Sequence, residues 1–377
     1  MIDISDRITL SKIDFHINGI FHYISHRLFG MNERHRLKPE FVFEKKFYRA
    51  LSKNKDLLES IVLADCNILN EFEKHSFYKK YRLFFLLCMH KTARDTYPFN
   101  IHMLREYNNI PRDLSNAISE RGLDAVCEGV MERCKLVFNY KKFTTVDRRI
   151  TNVASAWNAY NYLQGFSTKV CPYCNLDLTT LVNNCLDENR VNYKLRPALD
   201  HYLPQSLFPY FSLSIYNLIP SCTSCNSSLK GDLNFKAMRH INPMGQSFDD
   251  KVKFGLLLRN NDDIFSVIDD LYNTDTINID NFKINIESQC VNASRNLSTF
   301  EIVDRYNVHL AQLEYFLSNL SKAKPEKLKL LMEVFETDDE LEVISKLLHF
   351  EINENNHCDI PLSRLKKDLI YRYIYNE

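Results

Sequence analysis

Four short runs between Cys171 and Lys230 decide how this chain is read: CPYC at Cys171–Cys174, LDHYLP at Leu199–Pro204, NLIP at Asn217–Pro220 and CTSCNSSLK at Cys222–Lys230. The two CxxC pairs come first. Each is short enough to set two thiolates about one tetrahedral ion, and four thiolates leave no open position for water. Cys171, Cys174, Cys222 and Cys225 are therefore expected to hold a structural zinc ion. The 47 residues between the pairs would then be clamped at both ends by the metal. Cys185, inside that loop, has no partner at this spacing and reads as an ordinary thiol.

The polar residues of the same stretch suit a different chemistry. Hydrolysis of a phosphodiester needs a base for water, a cation against the charge on the phosphate and leaving oxygen, and fixed geometry. His201 can be the base. Asp200 and Asn226 offer oxygen ligands for Mg²⁺ or Mn²⁺, and Lys230 can hold a phosphate. Hard oxygen donors suit magnesium as thiolates suit zinc, so two metals at two sites are chemically coherent.

These runs resemble the zinc-containing HNH endonucleases, whose ββα-metal core is a two-stranded hairpin followed by a helix with flanking CxxC pairs. The resemblance implies that His201 is the general base and that Asp200 binds the catalytic metal. It implies that Asn217 steadies the hairpin and the histidine, and that Asn226 is the last metal ligand, in place of the histidine many members carry. This is an HNN form of the motif. The match covers roughly 60 of the 377 residues and rests on the joint agreement of both cysteine pairs and the polar positions. CPYCN, DHYLPQSLFPYFSL and NLIPSCTSCN also look like a subgroup of bacterial HNH proteins that includes nuclease subunits of two-component anti-phage systems working beside an ATPase. Nucleic acid, DNA ahead of RNA, and a partner ATPase are the expected partners. Two alternatives stay open: a non-catalytic zinc-stapled nucleic-acid-binding or scaffold subunit, and a nuclease active only with its partner.

Outward from this centre the chain reads as mainly α with a small α+β centre. Residues 1–165 form a helical region, 166–245 the zinc-stapled core, and 246–377 a β-hairpin annex followed by helices. Only 8 glycines and 11 prolines in 377 residues favour helix, since both interrupt it. Apolar residues recur three and four apart in Phe43–Leu51, Phe77–Met89, Leu114–Val137 and Ile150–Leu163, with Pro98, Pro111 and Gly122 as interruptions. Val252–Leu258 is strand-like, and Thr276–Glu287 alternates about Asp280–Asn281 as a hairpin would. Helices are expected over Phe300–Leu320 and Lys327–Phe335, then one opened by a Thr337–Glu340 capping box, then one over Pro361–Tyr375 with its proline in the first turn.

Charge is balanced, 48 basic against 48 acidic residues, so a polyanion would have to be met by a local basic surface. The cluster Tyr140, Lys141, Lys142, Phe143, Arg148 and Arg149 is one such surface, or simply a solvated face. His22 and His26 share the i, i+4 spacing of zinc proteases, but Tyr23 stands where the glutamate belongs, and they read as ordinary histidines. Met1–Leu10 carries Asp3, Asp6 and Arg7 where a signal peptide would be apolar, and the longest apolar run, Leu83–Met89, is too short to span a bilayer. Seven of the eleven cysteines are scattered singly. A cytoplasmic protein without membrane contact is expected.

Overall fold

The computed structural model describes residues 1–25, 38–96, 110–145, 157–164, 166, 168–187, 190–259, 278–320, 323, 325–351 and 354–375. It is mainly helical, with three two-stranded antiparallel sheets among the described residues: β1 (Val182–Asp187) with β2 (Arg190–Leu195), β3 (Ala198–His201) with β4 (Leu218–Ser221), and β5 (Val252–Leu258) with β6 (Phe282–Ser288). No helix of the described residues is long and apolar enough to cross a membrane.

The N-terminal periodicity becomes helices Leu10–Ser25, Val42–Lys53, Lys55–Val62, Arg112–Arg121 and Leu123–Val137, with shorter turns between them. Gly122 separates the last two at φ +82°, a backbone angle that costs glycine little. Leu123–Val137 buries Val126, Val130 and Met131 as the spacing predicts, but its inner face also takes Cys127, Cys134 and Val137. Of the predicted helix Ile150–Leu163, Ala159–Leu163 is seen. Its earlier half, like Pro98, His26, Arg148 and Arg149, lies outside the described residues, as does the side chain of Cys185.

These helices reach the centre through aromatic rings. Phe47 stacks on Phe84 with centroids 3.8 Å apart, Phe85 meets Tyr210 at 4.8 Å, and Phe72 meets Phe211 at 5.2 Å. Tyr210 and Phe211 belong to the loop joining β3 to β4, so that loop is packed into the helical core. Polar contacts fix its register. Ser212 Oγ donates to Phe138 O (2.8 Å), Ser214 Oγ to Val62 O (3.1 Å), and the His16 ring lies 2.8 Å from Leu213 O.

His16 carries a prediction. It is fully buried, and burial pushes its imidazole from the ordinary 6.5 down to about 4. Because the unfolded chain takes up the proton first, stability is complete above pH 6.5 and falls as the pH drops from there towards 4. Unfolding free energies from urea titrations at pH 7.5 and pH 5 should differ by roughly 2 kcal/mol on account of this group. A His16→Gln protein with an undiminished pH slope would remove the assignment.

The C-terminal third departs from expectation in four places. β6 does not fold back about Asp280–Asn281; those residues form a single turn leading into it, and it pairs along its whole length with β5, from Val252↔Ser288 to Leu258↔Phe282. The alternation placed Phe282, Ile284 and Ile286 on one face correctly, but only long-range pairing chooses the partner strand. The helix expected over Phe300–Leu320 is broken. Val291–Thr299 ends before Glu301 (φ +47°), followed by Ile302–Val308, a turn, and Glu314–Leu320. The helix Glu340–Leu348 is capped by Asp339, whose Oδ1 accepts from Leu341 N (3.0 Å) and Glu342 N (3.3 Å), while Thr337 Oγ1 donates to Glu342 (2.8 Å). A carboxylate beside the first turn meets both its free N–H groups and its dipole, so it displaces the threonine. The last helix starts at Ser363, beyond Pro361, because a residue far away in sequence caps it. Asn175 Oδ1 accepts from Arg364 N (3.0 Å) and Asn175 O from Leu362 N (2.6 Å).

Candidate functional site

Asn175 follows directly on the first cysteine pair, at φ +49°, and leads into the cysteine group. The sulfur atoms of Cys171, Cys174, Cys222 and Cys225 lie within 4.8 Å of one another, and all four residues are buried. Sulfurs about 2.3 Å from a tetrahedral ion stand close to 4 Å apart, so the spacing fits. Burial raises the Cys171 thiol, whereas hydrogen bonds from Cys171, Cys222 and Cys225 pull Cys174 well below the ordinary thiol range. A divalent cation bound among the four would favour ionisation of the thiols. The group could hold zinc. Arg305 reaches it with Nη1 3.3 Å from Cys225 Sγ and Nη2 2.8 Å from Asp177, and Tyr306 donates to Cys174 O (2.6 Å). Neither contact was legible in the sequence, since both come from a helix some 80 residues downstream of the last cysteine.

Between the cysteine pairs, β3 and β4 align Asp200 with Ile219 and His201 with Leu218. Pro220, which has no N–H to give, is tolerated because a two-stranded ladder has only edges. A π-helical turn, Ser224–Lys230, follows, so the chain runs strand, strand, helical turn. π-turns cluster at functional sites. This one ends at Gly231 (φ +49°), whose N–H bonds to Asn226 O.

Asp200, His201, Asn226 and Lys230 all border one cavity of about 550 Å³, together with Lys135, Gln205, Ser206 and Asp232. His201 places a ring nitrogen, Nε2, 2.9 Å from Ser212 O. A carbonyl only accepts, so the proton of the neutral ring sits on Nε2 and Nδ1 keeps its lone pair. Burial pushes the ring down to about 4, which leaves it neutral at pH 7. Tyr140 packs edge-on against it, centroids 4.5 Å apart, and donates to Leu199 O (3.1 Å). Its helical neighbours Lys141 and Lys142 are exposed, while Phe143 is core. The basic and aromatic cluster therefore divides, one ring to the histidine and two ammonium groups to solvent.

Asp200 is 2% exposed, with both oxygens engaged. Oδ2 accepts from the Tyr173 hydroxyl (2.6 Å) and Oδ1 lies 3.1 Å from Lys230 Nζ. Tyr173 sits between Cys171 and Cys174 and stacks on Phe300 (4.5 Å), so the cysteine group and the carboxylate are one hydrogen bond apart. Its burial and the Asp200 charge raise its hydroxyl well above the ordinary range, which keeps it a donor. The tyrosine of CPYC was present in the motif, but its role needed the fold.

The remaining candidates have definite places. Asn217, fully buried, accepts from Leu203 N (2.7 Å) and donates to Leu203 O (3.1 Å) and Phe211 O (2.9 Å), clamping both ends of the β3–β4 loop. It thus acts on the loop that carries Ser212 rather than on the histidine directly. Asn217→Ala should cost roughly 3 kcal/mol by leaving buried backbone groups unpaired, read as a lower urea midpoint; an unchanged midpoint would refute the clamp. Asn226, which lines the cavity, donates from Nδ2 to Ser227 Oγ (3.0 Å) and so keeps its oxygen clear of that bond. Lys230 departs from expectation. Only 1% of its side chain is exposed, and its ammonium bonds Asp200, His201 O (2.6 Å) and the Phe235 ring face (4.8 Å) instead of standing free for a phosphate.

Comparison with known proteins brings no relative: no family model, no curated protein and no solved structure matches this chain.

Proposed function

We propose that this protein is an HNH-type endonuclease, hydrolysing nucleic-acid phosphodiesters with His201 as general base. The observation that carries the reading is His201: its Nε2 lies 2.9 Å from Ser212 O, which puts the ring proton there and leaves Nδ1 as the base, and the residue lines one cavity with Asp200 and Asn226. A base of this kind takes a proton from water on the one nitrogen left open. Asp200 and Asn226 bring a carboxylate and an amide oxygen to the same cavity, a donor set suited to Mg²⁺ or Mn²⁺ with the remaining positions filled by water. Such a cation, when bound, would neutralise charge on the phosphate and its departing oxygen. The succession of β3 and β4 between the two cysteine pairs, then a helical turn that starts within the second pair, is the order expected of a ββα-metal core with zinc as its staple.

A phosphodiester substrate is further supported by the exposed Lys141 and Lys142 on the turn whose Tyr140 touches His201, and by Lys135 at the cavity wall. Ammonium groups there would hold backbone phosphates without reading bases. DNA ahead of RNA, and a role in anti-phage defence beside an ATPase, extend this reading from the resemblance of the motifs. The test is cleavage of plasmid DNA and of RNA by the purified protein, alone and with any co-purifying ATPase, in Mg²⁺ or Mn²⁺. Loss of cutting in His201→Ala supports the proposal. Equal cutting by wild type and variant, or no cutting under any of these conditions, would overturn it in favour of a zinc-stapled binding subunit.

A further inference from the structure

Asp200 already has a cation. Lys230 Nζ lies 3.1 Å from Oδ1, and both side chains are almost wholly enclosed, 1% and 3% exposed. A lysine and a carboxylate buried this deeply need each other, because either one alone would be an uncompensated charge away from water. The second carboxylate oxygen is held by Tyr173, itself wedged between two cysteines of the metal group and stacked on Phe300. The carboxylate is therefore fixed in orientation, and Oδ1 is the oxygen over which cations would compete. An ammonium and a divalent ion sharing it would stand about 4 Å apart and repel strongly where little water screens them.

We propose that Lys230 is a resident counter-ion of Asp200, filling the cation position until a divalent ion displaces it. The inference rests on the reading of Asp200 and Asn226 as a cation site, and it adds that this site is gated by the chain's own ammonium. Lys230 has somewhere to go. Its hydrogen bond to His201 O (2.6 Å) and its seat over the Phe235 ring (4.8 Å) do not depend on Asp200 and would lower the cost of leaving Oδ1. Asp232, an exposed acid on the same cavity wall, offers a further partner. Divalent affinity is then a difference between two cations for one oxygen, which makes loading sensitive to whatever moves Lys230.

The experiment measures Mn²⁺ binding to the full-length, zinc-loaded protein by calorimetry and by electron paramagnetic resonance of free Mn²⁺, without reference to cleavage. Lys230→Met should bind Mn²⁺ about tenfold or more tightly than wild type, since the competing charge is gone and Asp200 is left in need of a partner. Asp200→Asn should lose the binding. If Asp200→Asn loses it but Lys230→Met binds no more tightly than wild type, the counter-ion proposal is overturned while the cation site stands. If Asp200→Asn binds as wild type does, the cation site itself is wrong and the proposal falls with it. Should Lys230→Met fail to fold, crystals of wild type soaked in Mn²⁺ decide: an anomalous peak beside Asp200 with Nζ beyond hydrogen-bond reach of Oδ1 supports displacement, and Nζ still on Oδ1 overturns it.

Discussion

Alanine at His201 is expected to slow phosphodiester cleavage by roughly a thousandfold, the usual contribution of a general base, while zinc content stays at the wild-type level. The size follows from the geometry. Ser212 O fixes the proton on Nε2, Tyr140 limits the tilt of the ring, and burial holds it neutral at pH 7. No other imidazole lines this cavity among the described residues. Ser212 owes its place to Phe138, through its own hydroxyl, and to the ring cluster about Phe211. The helical N-terminal region thus positions the carbonyl that His201 meets, without, among the described residues, lining the cavity with a titratable group other than Lys135. Single-turnover rates on a labelled duplex provide the measurement. A His201→Ala protein that cuts within a few-fold of wild type would place the base elsewhere.

Serine at Cys222 should be still more disruptive to the fold. Structural zinc sites hold their segments with apparent binding energies on the order of 10 kcal/mol, comparable to the whole stability of a typical domain. The cysteine group joins the two ends of the segment carrying β3 and β4, and Tyr173 links it to Asp200. Its loss would also free Asn175, which caps the final helix, and Arg305, which bonds Cys225. Unfolding is expected to reach the C-terminal helices as well as the centre. Metal analysis together with thermal melting tests this: a Cys222→Ser protein with wild-type zinc content and an unchanged melting temperature would show that the four sulfurs hold no structural ion.

Much of the site could be read in one dimension because its chemistry is carried by short spacings. Two CxxC pairs bring thiols together whatever surrounds them, and Asp200, His201 and Asn226 fall close to the second pair or to the hairpin it closes. What escaped the sequence lies at long range. Tyr173, Arg305, Tyr306 and Asn175 act on partners up to 189 residues away, and no local pattern announces such contacts. The β5–β6 pairing was missed for the same reason: alternation gives the face of a strand but not its neighbour.

The sequence by itself determined the helical periods of the flanks, the glycine break at Gly122, the four clustered thiols and the polar residues beside them, because propensity, turn chemistry and chelate spacing act over a few residues. Only the tertiary structure decided what those polar residues face. It put Ser212 O against His201, which chooses the tautomer, and it set Lys230 on Asp200, where a phosphate-binding lysine had been expected. Both outcomes depend on desolvation, a property of the packed surroundings rather than of any residue, and burial is what pairs a common lysine with a carboxylate and keeps a common histidine neutral.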